Sequence, residues 1–203
     1  ILFIAFGSLV AAGLPLATAI FGVGVGLMAS MLLANLVDVP EWATSVAAMI
    51  GLGVGIDYAL LIVTRYRSEL TEGADVATAI RTAMTTAGRS VVFAGITVVV
   101  SLLGMLTMNQ PYIPGVAFSA VLTVLFVMLA ALTLLPALLS FTGTRIDRLG
   151  FRRRRATDES ASTGFWYRWS RGVQRRPIAA VVAGLAILGV LIAPIVDLRL
   201  GYP

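Results

Sequence analysis

One apolar run, residues 47–67, constrains the fold more than any other part of the sequence, because it can cross a bilayer and yet contains a carboxylate, Asp57. A helix rises 1.5 Å per residue, so Asp57 lies roughly 12 Å inside the end marked by Arg65, within a hydrocarbon core about 30 Å thick. A charge at that depth costs about 2.5 to 3.5 kcal/mol, so ionisable groups there usually face a protein interior or a wet cavity. We therefore expect neighbouring helices to shield Asp57.

The predicted helix has two distinct faces. Small residues recur at every fourth position and would let another helix approach closely; this small-residue ladder is Ala47, Gly51, Gly55 and Ala59. At 100° per residue, Asp57 lies well over 90° from the ladder and forms the Asp57 stripe with Ile50, Gly53, Leu61 and Thr64. Tyr58 lies about 100° further round and should contact a different neighbour. One face is predicted to pack and another to present the acid.

The composition is that of a membrane protein. Of 203 residues, 59% are hydrophobic and 12% are charged, and the mean hydropathy is +0.96, outside the range of soluble globular proteins. The sequence therefore predicts an all-α fold, a polytopic transmembrane helix bundle. All fifteen basic residues are arginines, and they cluster beside apolar runs, where they orient spans in the membrane rather than bind nucleic acid.

Several kinds of chemistry are excluded. The chain has no cysteine and no histidine, which rules out disulfides, thiol chemistry and the usual zinc sites. The glycines of residues 51–56 do not match the G-x-G-x-x-G pattern, and no strand-turn-helix unit surrounds them. We expect neither an enzyme activity nor a cofactor.

The apolar runs predict one partial span and five complete spans: residues 1–12, then about 16–37, 42–66, 90–108, 115–141 and 178–197. Residues 13–15 predict a tight turn after the partial span, since proline is best tolerated in a first helical turn. We interpret the chain as a piece of a longer protein, in which residues 1–12 are the last half of a span and the first half of that span is missing.

A short amphipathic helix is predicted at about residues 75–87, with Asp75 as its cap and Gly88 as its stop. The simpler interpretation is that it lies on the membrane surface and joins two spans. A role in coupling movements of the spans is the alternative.

Residues 142–177 predict an arginine-rich cytoplasmic linker. Its basic run would either recruit anionic lipid or act as a positive-inside signal; the run is Arg152, Arg153, Arg154 and Arg155. Trp166 and Trp169 suit the membrane interface. The two arginine-bearing segments, residues 65–89 and 145–176, are two crossings apart and so should lie on the same, cytoplasmic side, with the loops at 38–42 and 109–114 outside.

These residues resemble the MmpL branch of the RND (resistance-nodulation-division) transporters. The resemblance rests on the sequence GLGVGIDY at residues 51–58, on Arg65, Tyr66, Arg67 and Glu69, and on AGRSVVFAG at residues 87–95. The order of spans, the basic linker and the final span leading to residues 198–203 extend it over essentially the whole chain.

The resemblance implies a function and its participants. The spans would be the second to seventh of the whole transporter and would form half of its RND-type membrane domain. Residues 198–203 would begin a periplasmic porter domain, and a second half would carry its own Asp-Tyr pair. Such proteins sit in the inner membrane and use the proton gradient to export lipids or other hydrophobic compounds. Asp57 would then carry protons and Tyr58 would relay them.

Two alternatives remain open. One proton crossing 100 mV is worth about 2.3 kcal/mol, enough to bias a conformational cycle, but Asp57 can instead be a structural acid that hydrogen-bonds a neighbouring helix. The whole chain can likewise be a non-transporting sensor or scaffold with a sterol-sensing-like helix bundle.

Overall fold

The computed structural model describes residues 9–35, 37–108, 110–143 and 171–192, and most of these residues are helical. The helices are α1 (Leu9–Leu33), α2 (Glu41–Thr71), α3 (Val76–Ala83), α4 (Arg89–Gly104), α5 (Ile113–Thr142) and α6 (Pro177–Ile192). No strand occurs within those ranges. The predicted all-α fold is therefore confirmed.

Four helical segments are long and apolar enough to cross a membrane. They are Ala11–Leu33, Glu41–Thr71, Val76–Met108 and Ile113–Thr142, with hydropathies of 2.1 to 2.6. Each exceeds the 20 or so residues that a bilayer requires. The chain is a multi-pass membrane protein.

The predicted turn at residues 13–15 is wrong. Helix α1 continues through Pro15, which is fully buried. Among the described glycines only Gly73 and Gly143 have positive φ angles, so Gly13 does not make a turn. Proline inside a helix is tolerated in membrane spans because surrounding helices and polar side chains compensate for the lost hydrogen bond. Burial of Pro15 among its neighbours therefore outweighs the local turn signal.

The predicted stop at Gly88 is also wrong. A π-helical segment, Met84–Gly88, joins α3 to α4 without a break, and a 3₁₀ turn, Met105–Met108, extends α4. Gly88 has an ordinary helical φ of −58° and is buried. The predicted cap is confirmed, since the Thr78 N–H donates a hydrogen bond to the Asp75 carboxylate at 3.4 Å. The amphipathic helix thus begins as predicted but forms one rod with the next span.

Helices α1, α2 and α5 pack against one another and form the centre of the bundle, while α4 packs on α5 and α3 packs on α2. The largest fully buried side chains include Tyr66, Ile62, Leu135 and Leu139. Ala79 and Ala83 of α3 belong to the same apolar core. The amphipathic helix therefore packs against the end of α2, and its location at the membrane surface stays a prediction.

Contacts at both ends of the bundle agree with the predicted alternation of spans. At one end the Tyr66 hydroxyl donates a hydrogen bond to the Gly143 carbonyl at 3.2 Å, joining α2 to α5. At the other end Gly115 lies directly against the Asp38 backbone. The loops after α1 and before α5 are therefore neighbours.

Helix α6 belongs to a second compact unit, separate from the one that contains α1 to α5. Residues 171–175, the end of the predicted linker, are helical. Several predicted features lie outside the described residues: residues 1–8 and 198–203, together with Arg152, Arg153, Arg154, Arg155, Trp166 and Trp169.

Candidate functional site

The small-residue ladder of α2 is buried along its whole length. Ala47, Gly51, Gly55 and Ala59 are all buried, and Ala43, one position earlier in the same series, is 0% exposed. Because these residues have little or no side chain, backbones of other helices come close to α2 here. Sequence analysis identified four members of the series and missed Ala43.

Two residues of α5 fill the space that the ladder leaves. A Cβ on Gly51 would lie 2.5 Å from Thr123 Cγ2, and one on Gly55 would lie 2.6 Å from Val127 Cγ1. Real Cβ atoms do not approach other atoms so closely, so only glycine fits at either position. Sequence analysis missed Thr123 and Val127; their spacing of four residues matches that of the ladder, but no local signal identified α5 as its partner.

Helix α1 presents a second glycine face to the same α5 residues. A Cβ on Gly22 would lie 2.7 Å from the Val127 Cα, and one on Gly26 would lie 2.6 Å from the Thr123 Cα. Gly24, between them, has nothing within 4 Å of its Cβ position. Helix α5 is thus held between glycine faces of α1 and α2, which fixes the orientation of α2.

That orientation leaves Asp57 exposed. Asp57 lies 16 residues after Glu41 and 14 before Thr71, so it is about 20 Å or more from either end of α2. Gly53, Leu61 and Thr64 of the Asp57 stripe are exposed as well.

The expected shielding of Asp57 is wrong within the described part of the chain. No described residue pairs with its carboxylate by a hydrogen bond or an ion pair, because α1 and α5 pack on the small-residue ladder instead. The described helices therefore present the acid outward, on a face that no other described helix covers.

Tyr58 points into the bundle, as the 100° offset from Asp57 predicts. Its side chain is 5% exposed, and its hydroxyl lies 3.6 Å from the Cβ position of Gly95 on α4, which Met128 of α5 also approaches. The hydroxyl has no hydrogen-bond partner among the described residues. An unpaired buried hydroxyl costs about 1 to 3 kcal/mol, so its retention calls for an explanation.

Charged side chains lie near the C-terminal end of α2, beyond the last residue of the Asp57 stripe. Arg65 and Glu69 form an ion pair at 2.6 Å. The described residues contain no group of three or more histidine, cysteine or acidic side chains that could hold a metal ion. The site thus consists of one exposed acid in the middle of a span, Asp57, and the buried hydroxyl of Tyr58, the next residue in the sequence.

Comparisons with known proteins identify the family to which this chain is similar. The model of the MMPL family matches residues 1–180. The membrane protein YdfJ of Bacillus subtilis is 40% identical over 203 residues, which are 100% of this chain and 27% of that protein. The mycolic acid-containing lipids exporter MmpL11 of Mycolicibacterium smegmatis is 38% identical over 99% of this chain and 21% of its own length.

A third relative is the trehalose monomycolate exporter MmpL3 of Mycobacterium tuberculosis. It is 32% identical over 226 residues, covering 99% of this chain and 24% of the exporter. The chain thus spans about a quarter of the length of the curated relatives it matches.

Proposed function

The chain belongs to the MMPL family, and we propose that it forms half of the membrane domain of an RND-type exporter that uses the proton-motive force to move lipids or other hydrophobic compounds across the inner membrane. Two relatives are named as exporters of mycolic acid-containing lipids and of trehalose monomycolate, which supports a lipid-like substrate. The observation that carries the proposal is the position of Asp57, an acid at the middle of an apolar span that no described residue pairs with.

Asp57 is the proton carrier in this proposal. A carboxylate in the middle of a bilayer is expensive when charged, whereas its protonated form is neutral, so each proton that binds or leaves changes the preferred environment of the side chain. One charge moving through 100 mV supplies about 2.3 kcal/mol. Binding and release at Asp57 would thereby drive α2 between two arrangements.

The Asp57 stripe is the surface that meets a second half of the transporter. Its members Gly53, Leu61 and Thr64 are exposed, and no atom lies within 4 Å of the Gly53 Cβ position. A helix bearing a second Asp-Tyr pair can therefore approach closely here. Contact between the halves would shield Asp57 from lipid, which the described helices of this chain do not do.

Tyr58 relays the proton. Its hydroxyl is buried and unpaired, so it is free to donate to or accept from a water molecule or a polar group that the second half introduces. Because Tyr58 is adjacent to Asp57 in sequence but faces α4 and α5, it connects the interior of the bundle to the exposed acid.

The test is Asp57→Asn in the full-length protein, with export of a fluorescent or radiolabelled lipid measured in cells or proteoliposomes. We expect export to fall to background while protein level and membrane insertion stay unchanged, because asparagine preserves the shape but cannot bind a proton. Asp38→Asn, at an exposed loop position, is the matched control and should export normally. Normal export by Asp57→Asn would end the proposal and favour the sensor or scaffold alternative.

A further inference from the structure

We propose that the rod formed by α3, the π-helical segment and α4 carries a binding site for the headgroup of an anionic phospholipid, built by Arg81 and Arg89. This inference is independent of the proton-carrying role of Asp57. It rests on the alignment of the two arginines, on the lack of an acidic partner for them among the described residues, and on the apolar surface that continues from Arg89 into the membrane.

The π-helical segment aligns the two arginines. In an uninterrupted α-helix, positions eight apart differ by about 80° round the axis. A π-helical turn accommodates one additional residue. Arg81 and Arg89 flank the whole of Met84–Gly88, so they are related as positions seven apart would be in an α-helix, within about 20° round the axis and about 10 Å along it. Both side chains are exposed, as is Thr85 between them. The rod therefore presents two positive charges on one face.

Neither arginine forms an ion pair with a described acidic residue. The ion pair between Arg65 and Glu69 on α2 involves neither of them. The Arg89 guanidinium instead lies over the Phe93 ring, 5.8 Å from its centroid, which leaves its hydrogen-bond donors available. A guanidinium presents donors in a planar fork that matches phosphate oxygens. The two cations are thus positioned for an anionic headgroup.

The same face becomes apolar immediately beyond Arg89. Phe93 is 62% exposed, Ile96 51% and Val100 63%. The segment Val76–Met108 has 33 residues and is about 50 Å long, so it exceeds a hydrocarbon core of about 30 Å.

This length places Arg89 at the membrane boundary. Counted from Met108, Arg89 lies about 28 Å along the rod, which is close to the thickness of the core. A phospholipid that binds here puts its phosphate between the arginines and its acyl chains along Phe93 and Val100.

The occupant is an anionic lipid rather than a zwitterionic one, because two unpaired cations favour net negative charge. Each basic group held near an anionic membrane surface contributes about a fivefold preference. The preference should weaken as salt is raised, since exposed charges are screened.

The test is native mass spectrometry of the full-length protein released from nanodiscs that hold equal amounts of phosphatidylglycerol and phosphatidylcholine. We expect bound phosphatidylglycerol to exceed phosphatidylcholine, and the ratio to fall about fivefold in Arg81→Gln or Arg89→Gln and further in the double variant. The pair Arg89→Ser with Ser90→Arg keeps the net charge but moves one cation about 100° round the rod, and it should lower the ratio as much as Arg89→Gln does.

Two controls separate a built site from general charge. Arg175→Gln with Arg176→Gln removes two exposed cations from the start of α6, so it measures the contribution of general surface charge and should lower the ratio less than the Arg81→Gln, Arg89→Gln double variant does. Asp57→Asn should leave it unchanged, so failure of the transport proposal and failure of this one are distinguishable. Either of two results would overturn the inference. One is an unaltered ratio in the variant that combines Arg89→Ser with Ser90→Arg; the other is a photocrosslinker at position 85 that reacts with protein instead of lipid.

Discussion

A methyl group of Val127 on α5 occupies the space that a Cβ on Gly55 of α2 would need, since the two atoms would lie 2.6 Å apart. The Ala19 Cβ of α1 lies 3.0 Å from the same position. Three helices therefore meet at one glycine, 3 Å or so along the axis from Asp57. The position of the acid depends on this contact.

Gly55→Ala should destabilise the bundle by about 1 to 3 kcal/mol, because the added methyl group must displace a β-branched valine with few alternative rotamers. The measurement is the free energy of unfolding in mixed detergent micelles. Gly53→Ala is the matched control, since nothing lies within 4 Å of its Cβ position. If Gly55→Ala and Gly53→Ala have the same free energy of unfolding, α2 does not pack as the structure indicates.

The sequence predicted the faces of α2 but not their partners. A repeat of small residues every fourth position is a property of one helix, so Gly51 and Gly55 could be assigned to packing from the sequence alone. That Thr123 and Val127 fill the gap depends on how α5 lies in space. The exposure of Asp57 has the same origin, because burial is set by neighbours that the local sequence does not specify.

Local signals failed where packing overrode them. The residues around Pro15 are typical of a turn and Gly88 is typical of a helix stop, yet both lie inside continuous helices. Pro15 is fully buried and Gly88 packs beside Met84 and Leu132, so tertiary contacts hold each segment helical. The Asp75 cap was predictable, because its hydrogen bond to Thr78 is local.

Tyr58→Phe should lower export at least about tenfold without destabilising the bundle. The hydroxyl has no partner among the described residues, so its removal leaves no other group unpaired and takes away a buried polar atom that makes no hydrogen bond. Export is measured as for Asp57→Asn, and stability by unfolding in micelles. Tyr112→Phe, at a side chain that is 63% exposed, should change neither quantity.

A Tyr58→Phe protein that exports normally would remove the hydroxyl from the proton route. One that loses about 0.5 to 1.5 kcal/mol of stability would instead indicate that the hydroxyl is paired in the full-length protein.

The Asp75 cap makes the start of α3 sensitive to acid. Hydrogen bonds from the Thr78 side chain and then from its backbone N–H hold the pKa of the Asp75 carboxyl below its ordinary value. A carboxyl group whose pKa is lower in the folded state stabilises that state above its unfolded pKa of about 3.9, and the contribution disappears as the pH falls through the folded value.

We therefore expect the first turn of α3 to fray as the pH drops below about 4. Amide hydrogen exchange at Thr78, corrected for the intrinsic pH dependence, reports this change. Asp75→Asn keeps a good capping residue that does not titrate, so its exchange should lose the pH dependence, whereas Asp75→Ala should exchange faster at every pH. Identical pH profiles for the wild type and Asp75→Asn would contradict the assignment.

Tyr66 ties the end of α5 to α2, and Tyr66→Phe should loosen that end. The ring is 0% exposed, and its hydroxyl donates to the carbonyl of Gly143, which has a φ of 50° and ends α5. Loss of this hydrogen bond leaves the carbonyl without its tyrosine donor and should lower the free energy of unfolding by about 0.5 to 1.5 kcal/mol. Phenylalanine keeps the apolar packing, so the loss should concentrate at the last turn of α5.

Hydrogen exchange distinguishes this local effect from a global one. The N–H of Gly143 donates to the Leu139 carbonyl, so its amide should exchange about two- to tenfold faster in Tyr66→Phe, while amides beside Thr123 stay protected. Tyr112→Phe makes the same chemical change at an exposed ring and should leave both regions unaltered. A faster Gly143 amide would mean that the Tyr66 hydroxyl holds the last turn of α5 in place, and an unchanged one would mean that ring packing alone does so.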